Sequence, residues 1–300
     1  MNRTNLFVLF LATILVRMTA AHPHPPTTTD KPNLPADMQC GTPAIKPNLS
    51  QTRRLIVHGR EAIPNSWPWQ AMAHSTCGAT IVSKRVLVTA AHCLIDMKND
   101  ELCVNVGIHT RNEAKEKSCL EVETILRDER FNSLKNGNVA YDFAILILKE
   151  PLEFSEHVSP VCLPTNPTPE NPDKCFVTGW GLINSDVFEG SQVLRQAAVK
   201  VLSDDDCANI VAKMFHNDSM ICARGYDGLH RQSGTAQGPC TGDSGGPLVC
   251  QQNDGSFQLY GVVSFGTAHP CGVSPSVYAR VTGYLEMIKA AVEFTELIED

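Results

Sequence analysis

From Ile56 to about Val281 the chain is broken into short apolar and β-branched runs: Ala79–Val82, Val86–Thr89, Cys103–Val106, Val122–Leu126, Phe143–Leu148, Phe176–Gly179, Val193–Val201, Leu248–Gln251, Leu259–Phe265 and Val277–Val281. Clusters of Gly, Pro, Asn, Asp and Ser separate them. Strand-length runs with so little helix between them predict an all-β barrel or sandwich. Two segments read differently. Ser203 with Asp206 has the form of a capped start to a helix running to about Met214. Near the C-terminus Val281, Tyr284, Leu285, Ile288 and Val292 recur at helical spacing, so that helix docks one face on the core. With 300 residues, 43% of them hydrophobic, the chain has the apolar surface for a substantial core.

The N-terminal stretch has another character. Arg3, the apolar run from Leu6 to Val16 and the small residues Thr19-Ala20-Ala21 have the layout of a signal peptide over residues 1–21. The apolar run is too short to cross a bilayer, and Arg17 ends it. Residues 22–55 open with His-Pro-His-Pro-Pro and carry few aliphatic side chains. They cannot bury enough surface to fold alone and read as a pro-segment. The folded domain then runs over 56–300, and the mature protein is expected to be secreted and extracellular. A net charge of -7 with no basic stripe argues against nucleic acid and anionic membrane surfaces as partners. Twelve cysteines, an even count, suit an oxidising compartment. No Cys-x-x-Cys pair occurs, so zinc is not expected, and spacing alone leaves the pairing open.

Three stretches carry chemistry. Ser244 lies in TAQGPCTGDSGGPLVC, followed by Gly245 and Gly246, where the backbone can bend sharply. Alone this is a turn. His92 closes VLVTAAHC, and Asp142 stands before the apolar strand of AYDFAILIL. An aspartate there is costly to bury unless hydrogen-bonded or paired, and a histidine partner accounts for it. The order His, Asp, Ser is far more specific than any one of the three. Gly242 to Gly246 also fits the G-x-S-x-G elbow of lipases and esterases. That fold needs alternating strands and helices with the acid and histidine after the serine, and here both precede it. A non-catalytic binding homologue is the other alternative; retention of all three residues argues against it.

The motifs IVHGREAIPNSWPWQ, TAAHC, DFAIL, TGWG, GDSGGPLVC, VSFG and VYARVT, in this order, resemble the chymotrypsin/trypsin family of serine endopeptidases from Cys40 to the C-terminal helix. The resemblance implies two six-stranded antiparallel β-barrels, a C-terminal helix and an active site in the cleft between the barrels. It implies Ser244 as nucleophile, His92 as general base and then acid, and Asp142 as the group that orients the imidazole. It implies an oxyanion hole from the backbone N–H groups of Gly242 and Ser244. Ser264, Phe265 and Gly266 resemble the edge strand that pairs with substrate, with Phe265 where tryptophan is usual. The family pattern suggests disulfides Cys40–Cys162, Cys77–Cys93, Cys175–Cys250, Cys207–Cys222 and Cys240–Cys271. Cys103 and Cys119 flank a hairpin-like stretch and are left for a sixth, less usual bridge.

Specificity and activation depart from the trypsin pattern. Trypsin-like members carry an aspartate two residues before the cysteine that precedes GDSGG; here that residue is Gly238. Without a carboxylate there, a Lys or Arg side chain would enter unpaired. Gly266 leaves one pocket wall open and Ser276 shortens the pocket. The expectation is cleavage after Leu, Met, Phe or Tyr. The long loop from Cys222 to Cys240 leaves Asp227 as the source of an alternative, trypsin-like specificity. The family's activation switch places Ile56, freed as a new N-terminus, against Asp243. Leu55 stands where Arg or Lys is usual in Arg53-Arg54-Leu55-Ile56. This implies a zymogen cut after Leu55 by a chymotrypsin- or elastase-like protease, this enzyme included. The alternative is a tryptic cut after Arg54 followed by trimming. Asn48 and Asn217 head sequons for glycosylation. Ile108-His109 stand where calcium-binding relatives carry a carboxylate, and Glu113 and Glu116 read as a solvated face, so no metal and no cofactor is expected. The expected partners of the monomeric enzyme are protein or peptide substrates and protein protease inhibitors.

Overall fold

The computed structural model describes residues 39–49, 59–74, 76–117, 119–131, 139–184, 187–225, 238–267, 271 and 274–297. The expected signal peptide, most of the expected pro-segment, Ile56 and Asp227 lie outside the described residues.

Six strands close the first barrel: β2 (Gln70–Ala73), β3 (Cys77–Ile81), β4 (Val86–Thr89), β5 (Cys103–Val106), β6 (Leu120–Arg127) and β7 (Ala144–Leu148), in the order β2-β3-β4-β7-β6-β5. A short β1 (Arg60–Glu61) precedes them. The second barrel uses β8 (Cys175–Gly179), β11 (Arg195–Val201), β12 (Met220–Gly225), β13 (Pro247–Gln251), β14 (Phe257–Gly266) and β15 (Ser276–Arg280). Pairing of β11 with β8 closes it, and β1 adds to the outer side of β11. A hairpin of β9 (Leu182–Asn184) and β10 (Val187–Gly190) stands apart. All neighbouring strands run antiparallel, so the expected all-β architecture of two six-stranded barrels holds.

Burial explains why some strands read clearly and others did not. VLVT in β4 and AILIL in β7 are buried at every position, with one face inside the barrel and the other covered. Part of that cover is α3 (Leu285–Leu297), which buries Ile288, and the turn before it, where Tyr284 stacks on Phe143 at 4.0 Å. The strands β2 (QAMA) and β12 (MICARG), by contrast, hold few β-branched residues; packing makes them strands, not propensity. Trp67 and Trp69 of SWPWQ meet Phe176 and Phe257 in an aromatic cluster with centroids 5.3 to 5.9 Å apart. It joins the two barrels from within.

The helix after Ser203 is present as α2 (Asp204–Val211), continued by a 3₁₀ turn to Met214, and Ser203 Oγ accepts from Asp206 N at 3.1 Å. A further helix went unread: α1 (Arg111–Glu116) interrupts the hairpin of β5 and β6. Its six residues have no apolar stripe. Its signal was the Thr110-Arg-Asn-Glu113 capping box, in which Thr110 Oγ accepts from Glu113 N and Glu113 Oε2 accepts from Thr110 N. Glu113 is therefore a helix cap, where a solvated face was expected. All six disulfides pair as expected, Cys103–Cys119 spanning α1.

Candidate active site

His92 lies on a 3₁₀ turn, Ala91–Leu94, that follows β4 directly, and the Cys77–Cys93 bridge ties this turn to β3. Asp142 ends the connection into β7 and is almost wholly buried, 4% exposed. Its carboxylate accepts from the backbone N–H of His92 at 2.8 Å and from Ser264 Oγ at 2.5 Å. The third partner is His92 Nδ1, 2.6 Å from Oδ2. Three donors account for the burial of this charge. With Nδ1–H given to the carboxylate, Nε2 is the ring's acceptor, and the His92 side chain is partly exposed. Cys77 and Cys93 lie near this ring, but both sulfurs are spent in their disulfide, so the three do not make a metal centre.

Ser244 comes from the second barrel and is held at the seam: its carbonyl accepts from Gly78 N, on β3, at 2.7 Å. The loop around it alternates in its use of amides. Asp243 N donates to Cys240 O, Gly245 N to Val263 O and Gly246 N to Asp243 O. Among the described residues the N–H groups of Gly242 and Ser244 donate to no protein acceptor. Gly242 has φ +95°, a conformation costly for any residue with a Cβ, and it sets this alternation.

Asp243 turns away from its neighbour Ser244. Oδ1 accepts from Gly181 N and Oδ2 from Cys240 N, each at 2.8 Å. Gly181 belongs to TGWG, and a Cβ there would lie 2.5 Å from the Asp243 carboxyl carbon. Burial pushes the carboxyl up to about 6 against the pull of those amides and of the guanidiniums of Arg111 and Arg195. The residue as a whole is half-buried, while its carboxylate is enclosed by the surrounding protein. A cavity opens beside it, lined by Val177, Gly181, Gln196, Gly238 and Pro239. Arg195 also lines it.

The remaining expected site residues are distributed as follows. Gly238 is buried and borders the Asp243 cavity. Gly266 and Ser276 face each other across β14 and β15. Ser264, Phe265 and Gly266 extend β14 beyond Val262, which pairs with the first residue of β13. The Ser264 hydroxyl serves Asp142, a role no local pattern signalled. Asn48 and Asn217 are both exposed.

A family model described as Trypsin matches residues 56–288. Chymotrypsin-C of Rattus norvegicus is 37% identical over 272 residues, covering 85% of this chain and 94% of its own length. Chymotrypsin-C of Mus musculus is 35% identical over the same shares of both chains. Ovochymase of Halocynthia roretzi is 34% identical over 87% of this chain, which spans 17% of that larger protein. Among solved structures, neuropsin, titled a serine protease expressed in the limbic system of mouse brain, is similar with a TM-score of 0.65 and 30% identity, covering 78% of this chain and 98% of that one.

Proposed function

The chain belongs to the trypsin family of serine endopeptidases, and from this we propose that it is a secreted zymogen that cleaves after medium-to-large apolar residues through Ser244, His92 and Asp142. As a peptide-bond hydrolase it acts on proteins or peptides. One observation carries the assignment of the triad: His92 Nδ1 lies 2.6 Å from buried Asp142 at the barrel seam into which Ser244 is tied.

In this reading, Ser244 Oγ attacks the scissile carbonyl carbon while His92 Nε2 takes its proton. The carbonyl oxygen, now negative, receives the N–H groups of Gly242 and Ser244. Imidazolium, stabilised by Asp142, gives the proton to the leaving amine as the C–N bond breaks and the acyl-enzyme forms. Water then takes the serine's place: His92 Nε2 removes its proton as it attacks the acyl carbon, and the imidazolium returns that proton to Ser244 Oγ as the ester C–O bond breaks, freeing the acid product.

Gly238, Gly266 and Ser276 supply no charge for a basic side chain, which supports apolar specificity; the relatives named chymotrypsin-C support it too. The cavity beside Asp243 supports the switch, in which the Ile56 α-ammonium enters once the chain is cut. Leu55 makes that cut agree with the enzyme's own preference. Six disulfides support an extracellular protein, and in this reading it is a monomer with glycans at the exposed Asn48 and Asn217. Inhibitor proteins would bind along the same Ser264–Gly266 edge as substrate.

The expected result with a fluorophosphonate probe is labelling of the cut chain that Ser244→Ala abolishes. On a peptide library the cut chain turns over Leu, Met, Phe and Tyr substrates, and N-terminal sequencing returns Ile56. Efficient turnover of Arg substrates with little on Leu or Phe would remove the specificity reading; an active form beginning at Leu55 would remove the switch.

A further inference from the structure

Helix α1 stands on the first barrel, yet its first residue reaches the loop that seats Asp243. Arg111 Nη2 donates to the carbonyl of Trp180 at 2.9 Å and Nε to the carbonyl of Ser191 at 3.1 Å. Its backbone N–H donates to Gln192 O at 2.9 Å, and Thr110 beside it bridges to Val193. Bonds also run the other way: Trp180 Nε1 and Leu194 N both donate to His109 O, at 3.0 and 2.8 Å. The capping box of Thr110 and Glu113 fixes where Arg111 starts. Gly190 makes room for it, since a Cβ there would lie 3.0 Å from both the Arg111 guanidinium and the Trp180 carbonyl oxygen.

The Trp180 carbonyl and the Gly181 N–H belong to one planar peptide unit. Arg111 holds that unit by its oxygen, and Asp243 Oδ1 takes its N–H at 2.8 Å. A cation on the oxygen polarises the amide and strengthens what the N–H donates. The two ends cannot be turned independently. We propose that Arg111 is a positioning residue: from the first barrel it orients the Trp180–Gly181 peptide, and so determines how firmly Asp243 and the Gly242–Ser244 loop are seated for catalysis. The inference rests on the reading of Asp243 as the partner of the Ile56 α-amino group. The same guanidinium also draws the Asp243 carboxyl downward against burial.

Cyanate, which carbamylates a free α-amino group only when it leaves its buried partner, reads the seating directly. In cut Arg111→Gln the Ile56 terminus is carbamylated on the order of tenfold faster than in the wild type, the loss expected for a charge-assisted hydrogen bond. Its kcat falls by a similar factor, with KM within about twofold. Arg111→Lys lies between, keeping the charge and losing the two-pronged geometry. Gly190→Ala, which displaces the guanidinium, follows Arg111→Gln. A purely structural tie would lower the melting temperature and leave the cyanate rate and kcat unchanged, and that result overturns the proposal. If Arg111→Gln does not accumulate as folded protein, Gly190→Ala and Arg111→Lys decide by the same two readouts. A wild-type enzyme indifferent to cyanate, or one not beginning at Ile56, would instead defeat the switch on which the inference stands.

Discussion

Asp243 and Ser244 are neighbours held by different partners, the Asp243 carboxylate by the amides of Gly181 and Cys240 and the Ser244 carbonyl by Gly78 N. Among the described residues the Asp243 carboxyl is held by two amides and makes no salt bridge, and burial pushes it up to about 6 against the pull of Arg111 and Arg195. The sign of its effect on stability follows. A carboxyl whose folded pKa lies above its unfolded value binds more protons in the folded state, so stability is lost as pH rises from about 4 to about 6. In the proposed switch the Ile56 ammonium of the cut chain would favour the ionised carboxylate and remove that loss. The melting temperature of the cut form should therefore gain on the uncut form across this range. It should lose the gain again once the α-amino group deprotonates, above about pH 8. Scanning calorimetry on Ser244→Ala, cut and uncut, measures this without self-digestion. A difference between the two forms that is flat from pH 4 to 9 would mean that Asp243 does not receive Ile56.

Helix α1 shows how much a short element can hold. Six residues with no apolar face have little stability of their own. Its capping box, the Arg111 bonds to Trp180 and Ser191, and the Cys103–Cys119 bridge keep it in place. That bridge closes a loop of sequence separation 16, for which chain entropy gives about 3 kcal/mol of stabilisation. The double variant Cys103→Ser/Cys119→Ser should melt on the order of 6–12 °C lower, by calorimetry. A melting temperature within about 1 °C of wild type would show that the cap and Arg111 suffice without the bridge.

In the proposed mechanism each barrel alone is incomplete, since His92 and Asp142 come from the first and Ser244 and Ser264 from the second. The seam must therefore be stiff. Besides Gly78 N to Ser244 O, it carries Thr178 Oγ to Gln70 Oε1 at 2.5 Å and the aromatic cluster of Trp67, Trp69, Phe176 and Phe257. Phe257, fully enclosed, touches the other three rings. Phe257→Ala should lower the unfolding free energy by about 3–5 kcal/mol, read from urea unfolding of the Ser244→Ala background. A loss below about 1 kcal/mol would mean the barrels are held by the backbone contacts alone.

What could be read along the chain was local. Runs such as AILIL and VLVT need no partner to declare themselves as buried strands, and the motifs around His92, Asp142 and Ser244 carried the family resemblance on which the proposed chemistry rests. Five disulfide pairings came with the family resemblance, and the sixth, Cys103–Cys119, from the two cysteines it left over beside a hairpin-like stretch. What could not be read was where distant groups meet. Ser264 donates to Asp142 across 122 residues, and Arg111 grips a peptide 69 residues away. Neither contact leaves a local pattern, because a serine in an edge strand and an arginine on a polar helix look the same wherever they point. Strands such as QAMA and MICARG were silent for the same reason: closure of the barrel, not propensity, extends them. The alternation of used and unused amides around Ser244 also needed the fold, since it depends on Val263 and Cys240 arriving to take the others. Composition and motif determine which groups are available; closing two barrels on one seam determines which of them touch.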